Sequence, residues 1–160
     1  MKIHILLFIA TILSSFTDAQ LPYFQQKADY VIDVKLNDTV HVLEGFVTID
    51  YTNNSPQTLN YILFHLWPNA YRDQTTPLAK QLVQNGKTDF YFSKTYQRGF
   101  MDHLDFKANA EVCMWEFDVT GLEIAKVSLN KPLKSGETVR ISTPFRVKLP
   151  ETFSRMGHVG

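Results

Sequence analysis

Two long runs near the front of the chain alternate between apolar and polar side chains with a period of two. "ADYVIDVKL" sets Tyr30, Ile32, Val34 and Leu36 on one face and Asp33 and Lys35 on the other. "VHVLEGFVTIDYTN" sets Leu43, Val47, Ile49 and Tyr51 against Glu44, Thr48 and Asp50. Only a strand sends successive side chains to opposite faces; a helix would scatter these residues around its circumference. The pattern therefore demands half-buried antiparallel strands. The "NDT" between the runs has Asx-turn chemistry, so the two pair as a hairpin. Gly45 inside the second run predicts a bulge or a close backbone approach.

The rest of the chain keeps this character. "NNSPQT" breaks the sheet, and "LNYILFHLW" follows, apolar on both faces, as a strand covered on both sides would be. Pro68 ends it. "DFYF", "FMDHLDFKAN", "VCMWEFDV", "EIAKVSLN" and "VRISTPFRVKLP" read as further strands, with "KPLKSGET" as a turn. One helix is expected near residues 77–85. Thr76 can cap it, Pro77 suits the first helical position, and Asn85-Gly86 can close it. Leu78, Ala79, Leu82 and Val83 give it an apolar stripe. The expected fold is mainly β, an antiparallel saddle or sandwich with that one short helix.

The first residues have a different composition. "MKIHILLFIATILSSFTDAQ" carries one early positive charge, Lys2, then an apolar run from Ile5 to Leu13, then small and polar residues. This is the order of a secretory signal peptide, with cleavage expected after Ala19. The apolar run is about half of the ~20 residues that a membrane span needs, so no span beyond the signal peptide is expected. The signal segment is thus residues 1–19 and the folded unit residues 20–160. The expected destination is outside the cytoplasm: periplasmic, cell-surface or secreted.

Sixteen basic and sixteen acidic residues leave the chain formally neutral. A neutral chain has no electrostatic case for nucleic acid. The single cysteine, Cys113, lies among apolar residues in "EVCMWEF" and reads as a buried structural thiol.

The sequence offers little that could do chemistry. His41, His65, His103 and His158 all lie more than five residues apart, so no helical metal pair exists. There is no H-E-x-x-H, G-x-S-x-G or P-loop. His65 reads as a core or edge histidine bonded to backbone, His41 and His103 as members of solvated strand faces, and Trp67 and Trp115 as core. The expected catalytic and metal-binding residues of this chain are therefore none, with no cofactor of its own. The last stretch, "FSRMGHVG", stands apart. Phe153 is apolar, Arg155 can grip a carboxylate, His158 can donate or ligate, and Gly157 and Gly160 permit close backbone approach. These residues are candidates for an inter-domain contact.

The segment "YFQQKADYVIDVKLNDTVHVLEGFVTIDYTNNSPQTLNYILFHLWPNAY" resembles the opening of bacterial aminopeptidase N-like zinc metallopeptidases, the gluzincin family. "GKTDFYF", "RGFMDHLDFK" and "PFRVKLP" continue the resemblance, which spans Leu21 to Gly160. It implies an N-terminal, saddle-shaped β domain that docks on a thermolysin-like catalytic domain and walls one side of the substrate cleft. Zinc, held by H-E-x-x-H and a downstream glutamate, is expected in that missing domain, so the sequence is expected to be cut short before it. The implied partners are that domain and the parent enzyme's peptide substrate. Where the family often has an Asn-Gly turn, this chain has Asn109-Ala110; lacking glycine, the loop is expected to be longer or differently twisted. A stand-alone secreted β-sandwich binding glycan or protein is the alternative reading.

Overall fold

A computed structural model describes residues 23–159; the expected signal segment lies outside them. Two antiparallel sheets face each other. The larger contains β1 (Lys27–Asn37), β2 (Val42–Thr52), β9 (Thr138–Lys148), β5 (Lys107–Ala108) and β6 (Glu111–Val112) in that order, with β4 (Phe100–Asp102) also pairing β9. The smaller has the order β3 (Leu59–His65), β8 (Gly121–Leu133), β7 (Trp115–Asp118). The expected class, mainly β and antiparallel, is the observed one.

β1 and β2 form the expected hairpin, with Tyr30 opposite Ile49 and Ile32 opposite Val47. β2 then pairs with β9 along its full length, so Ile49 meets Ile141 and Val47 meets Thr143. The ladder runs through Gly45 without a bulge. Instead, a Cβ at Gly45 would lie 2.5 Å from the Asp33 carbonyl oxygen and 2.6 Å from the Phe145 ring. Close approach is the reason for glycine there.

The core lies between the sheets. Ile49 from β2, Ile62 from β3, Ala125 and Val127 from β8, Val139 and Ile141 from β9, and Phe106 and Cys113 are all buried. Cys113 is the structural thiol that its neighbours suggested. Two buried asparagines join the sheets. Asn53 donates to the carbonyl oxygens of Gln57 (2.7 Å) and Leu133 (3.0 Å) and accepts from the Ser55 backbone and hydroxyl. It pins the crossing from β2 to β3. Asn69 donates to the Leu122 carbonyl and accepts from the Met101 backbone N–H, both at 2.9 Å, tying the β8 side to β4.

Helix α1 (Pro77–Gln84) is capped as expected: Thr76 Oγ1 accepts from the Ala79 N–H at 3.2 Å, and Gly86 takes φ 76° after the last turn. Its buried residues, Ala79 and Leu82, join Ala70, Tyr71 and Phe90 in a second, smaller core.

Several local expectations fail. "DFYF" is not a strand but the helical turn α2 (Asp89–Phe92). Four residues carry too little period to separate strand from helix, and Phe90, buried in the second core, decides it. "FMDHLDFKAN" is split in two by His103 at φ 59°, while the Asp105 N–H turns to the Thr143 hydroxyl at 2.8 Å. Phe106 and Ala108 still face the core. β3 is covered on one side only: Ile62 is buried in the core between the sheets, while Tyr61 and Leu63 are exposed on the other face of the strand. The Asn109-Ala110 loop is not lengthened. β5 and β6 are joined by the two-residue turn, with φ 50° at Asn109 and 71° at Ala110. Alanine simply bears the left-handed conformation that glycine would adopt at lower cost.

Candidate docking surface

β1 departs most from its sequence pattern. Its apolar face is formed as expected, but Tyr30, Ile32, Val34 and Leu36 are all exposed. The smaller sheet has three strands against the larger sheet's six, so its cover does not extend over β1. The uncovered face opens into a groove of about 570 Å³ between the sheets, whose walls include Tyr30 and Ile32 of β1, Tyr51 of β2, Leu63 of β3, Trp67 and Phe145. Burial pushes the Tyr51 phenol above its ordinary pKa, aided by the neighbouring Tyr30; it stays a neutral hydrogen-bonding group on an apolar wall.

Trp67 was expected in the core. It is 68 % exposed, because the chain leaves β3 at His65 and turns into a short 3-10 helix, Trp67–Tyr71, that buries Asn69, Ala70 and Tyr71 instead. His65 is exposed rather than backbone-bonded, with its ring 3.7 Å from that of Trp67. Together they put an aromatic lip on the groove. Exposed apolar side chains gathered around one groove make it the candidate docking surface of this unit.

The three residues singled out at the end of the chain sit at different depths. Phe153 packs edge-on against Phe90, ring centroids 5.2 Å apart, and with Met156 closes the second core. Arg155 is exposed and lines a pocket with Trp67, Lys87 and Glu123. His158 lies face to face with His41, centroids 3.5 Å apart and planes within 10°. Sequence separation hid that pair. Neither His41 nor His103 lies on a strand face; both take positive φ in connections. The Leu149 N–H donates to the His41 carbonyl and the His158 N–H to the Pro150 carbonyl, both at 2.9 Å, so the backbone brings the rings together. Phe153 and His158 thus fasten the segment to this unit, leaving Arg155 outward.

Two cross-strand ion pairs fix register in the larger sheet. Arg140 on β9 lies opposite Asp50 on β2, and Arg146 on β9 opposite Asp102 on β4, each guanidinium bonded to both carboxylate oxygens at 2.6–2.7 Å or 2.8 Å. The bidentate bonds from Arg146 hold the Asp102 carboxyl below the usual carboxylate range, against a smaller upward push from burial. These are structural pairs.

Among the described residues no three His, Cys, Asp or Glu side chains converge as a metal site would require. Among the same residues no helix is long and apolar enough to cross a membrane.

No known family profile matches the sequence, and no curated protein does. Among solved structures, the chain is similar to an M1 zinc metallopeptidase from Deinococcus radiodurans: 15% identity, covering 82% of this chain and 22% of that one, TM-score 0.47. A mutant form of that enzyme gives 15% identity, 79% and 21% coverage and the same TM-score. A two-domain M1 zinc metallopeptidase mutant bound to L-tryptophan gives 15%, 81% and 22%, again at 0.47. The chain spans about a fifth of the length of these structures.

Proposed function

We propose that this chain is the non-catalytic N-terminal β domain of an exported, zinc-dependent aminopeptidase-like metallopeptidase. Its task is to dock on a catalytic domain in the same polypeptide and to shape one wall of the peptide cleft. The open apolar groove carries this reading, because its exposed aromatic and aliphatic walls lose water favourably only against another surface. The sequence resemblance supports it further: "YTNNSP" and "HLWPNAY" supply Asn53 and Asn69, the two buried residues that set the sheets' relative position. In the intact enzyme, zinc would polarise a peptide carbonyl and activate water; the residues of this chain would position the domain that holds it. Arg155 is the outward contact in the final segment, while Phe153 and His158 hold that segment in place.

The test has two parts. The reading frame containing this chain should continue into H-E-x-x-H and a downstream glutamate. The isolated chain should bind a hydrophobic dye that the whole gene product does not bind. A frame closing after Gly160, or an isolated chain that binds no dye, would overturn the proposal. The aromatic lip of Trp67 and His65 favours one other reading, a free-standing module that stacks a sugar ring on Trp67. Saturable glycan binding lost in Trp67→Ala would select it.

A further inference from the structure

The outer edge of β1 is a different feature from the groove. β1 is the terminal strand of its sheet, and ten of its eleven residues are exposed. Its outward N–H and C=O groups have no partner among the described residues, and at eleven residues it is long for an edge strand. Such an edge is a template for another strand. Its side chains specify which one.

We propose that β1 pairs antiparallel with β1 of a second copy of this chain, about a two-fold axis through Ile32. Ile32 is the middle residue of Lys27–Asn37, so this register alone pairs the strand with itself from end to end. It sets Asp29 opposite Lys35 of the second copy, twice by symmetry. It also sets Tyr30 opposite Val34, Ala28 opposite Leu36, and Ile32 opposite itself, so the apolar stripe runs unbroken from one copy to the next. Directly opposed unlike charges and apolar pairs are the units that stabilise a two-strand ladder.

The neighbouring registers are opposed by the same charges. An axis through Val31 puts Asp29 against Asp33 and Lys27 against Lys35. An axis through Asp33 puts that carboxylate against its own copy. Axes through Tyr30 and Val34 oppose Lys27 to Asp33 and Asp33 to Lys35, but they pair only residues 27–33 and 31–37. Like charges thus exclude the two adjacent registers, and length excludes the charge-matched ones beyond them, leaving the Ile32 axis. Lys35 has no ion-pair partner in its own chain among the described residues, and the partner of Asp29, Lys27 at 2.8 Å, is on the same strand and exposed. Both remain available. Isologous contact of this kind closes as a dimer and leaves no further edge of β1 to propagate.

The pairing goes beyond the docking reading and does not depend on it: its ladder forms along the strand's edge, although Tyr30 and Ile32 also line the groove. The test is the oligomeric state of the full chain, expressed with its own leader, by light scattering across a concentration series. The wild type should reach twice the monomer mass. Asp29→Lys and Lys35→Asp should each be monomeric at concentrations where the wild type is dimeric, and the double exchange Asp29→Lys/Lys35→Asp should restore the dimer. Unchanged circular dichroism in all four proteins separates assembly from folding, because both side chains are exposed. Ile32→Cys should form an intermolecular disulfide on mild oxidation, since that residue alone faces its own copy. A monomeric wild type at every concentration, single variants that still dimerise, or a double exchange that stays monomeric would each overturn the proposal.

Discussion

β1 and β9 are both eleven-residue strands of one sheet with alternating apolar residues, yet their fates are opposite. Ile141 in β9 is 0% exposed and Ile32 in β1 is 54% exposed. β9 has β2 along one side and β4 and β5 along the other, and the smaller sheet lies over it. Among the described residues β1 has one neighbour and no cover. Alternation therefore tells which side chains share a face, and the strand's place in the sheet tells whether that face is dry.

Truncation separates the two strands most sharply. Ile141→Ala should cost about 3–4 kcal/mol in a denaturant titration, from lost transfer energy plus an unfilled cavity. Ile32→Ser, measured at concentrations where the chain is monomeric, should stay within about 0.5 kcal/mol, as an exposed substitution does. Equal losses would mean that β1 is covered in solution, which the mass measurement would detect independently.

Polar groups sharpen the same contrast. Asn53→Ala, in the covered region where β2 crosses to β3, should cost about 2–3 kcal/mol, because the Leu133 carbonyl and Ser55 would lose their buried partner. On the open strand, loss of the exposed Lys27–Asp29 pair should have no measurable effect on folding stability.

Acid should act through the half-covered pair on β4 and β9. The Asp102 carboxyl is held low by Arg146, so its contribution is present above the ordinary carboxylate range. That contribution is lost as pH falls through the depressed value of the folded state. Asp102→Asn should be less stable than the wild type at neutral pH, by less than either core variant, and the gap should close on acidification. A gap independent of pH would show that the pair contributes through packing alone.

One small effect has the opposite sign. Ala110→Gly should stabilise the unit by about 0.5 kcal/mol, as relief of the left-handed turn exceeds the added freedom of the unfolded chain. A destabilised variant would mean that the turn relaxes without strain.

The sequence by itself determined what is local: which runs are strands and which residues share their faces, the β1–β2 hairpin, and the capped helix with Thr76 and Gly86 at its ends. Each follows from backbone preference and a repeat long enough to read. Tertiary structure decided the rest. It left β1 and Trp67 open, turned "DFYF" into a helical turn around Phe90, made Asn53 and Asn69 the ties between sheets, and stacked His41 on His158 across 117 positions of sequence. Burial and contact are properties of what lies opposite a residue, and neighbours along the chain carry almost no record of neighbours in space.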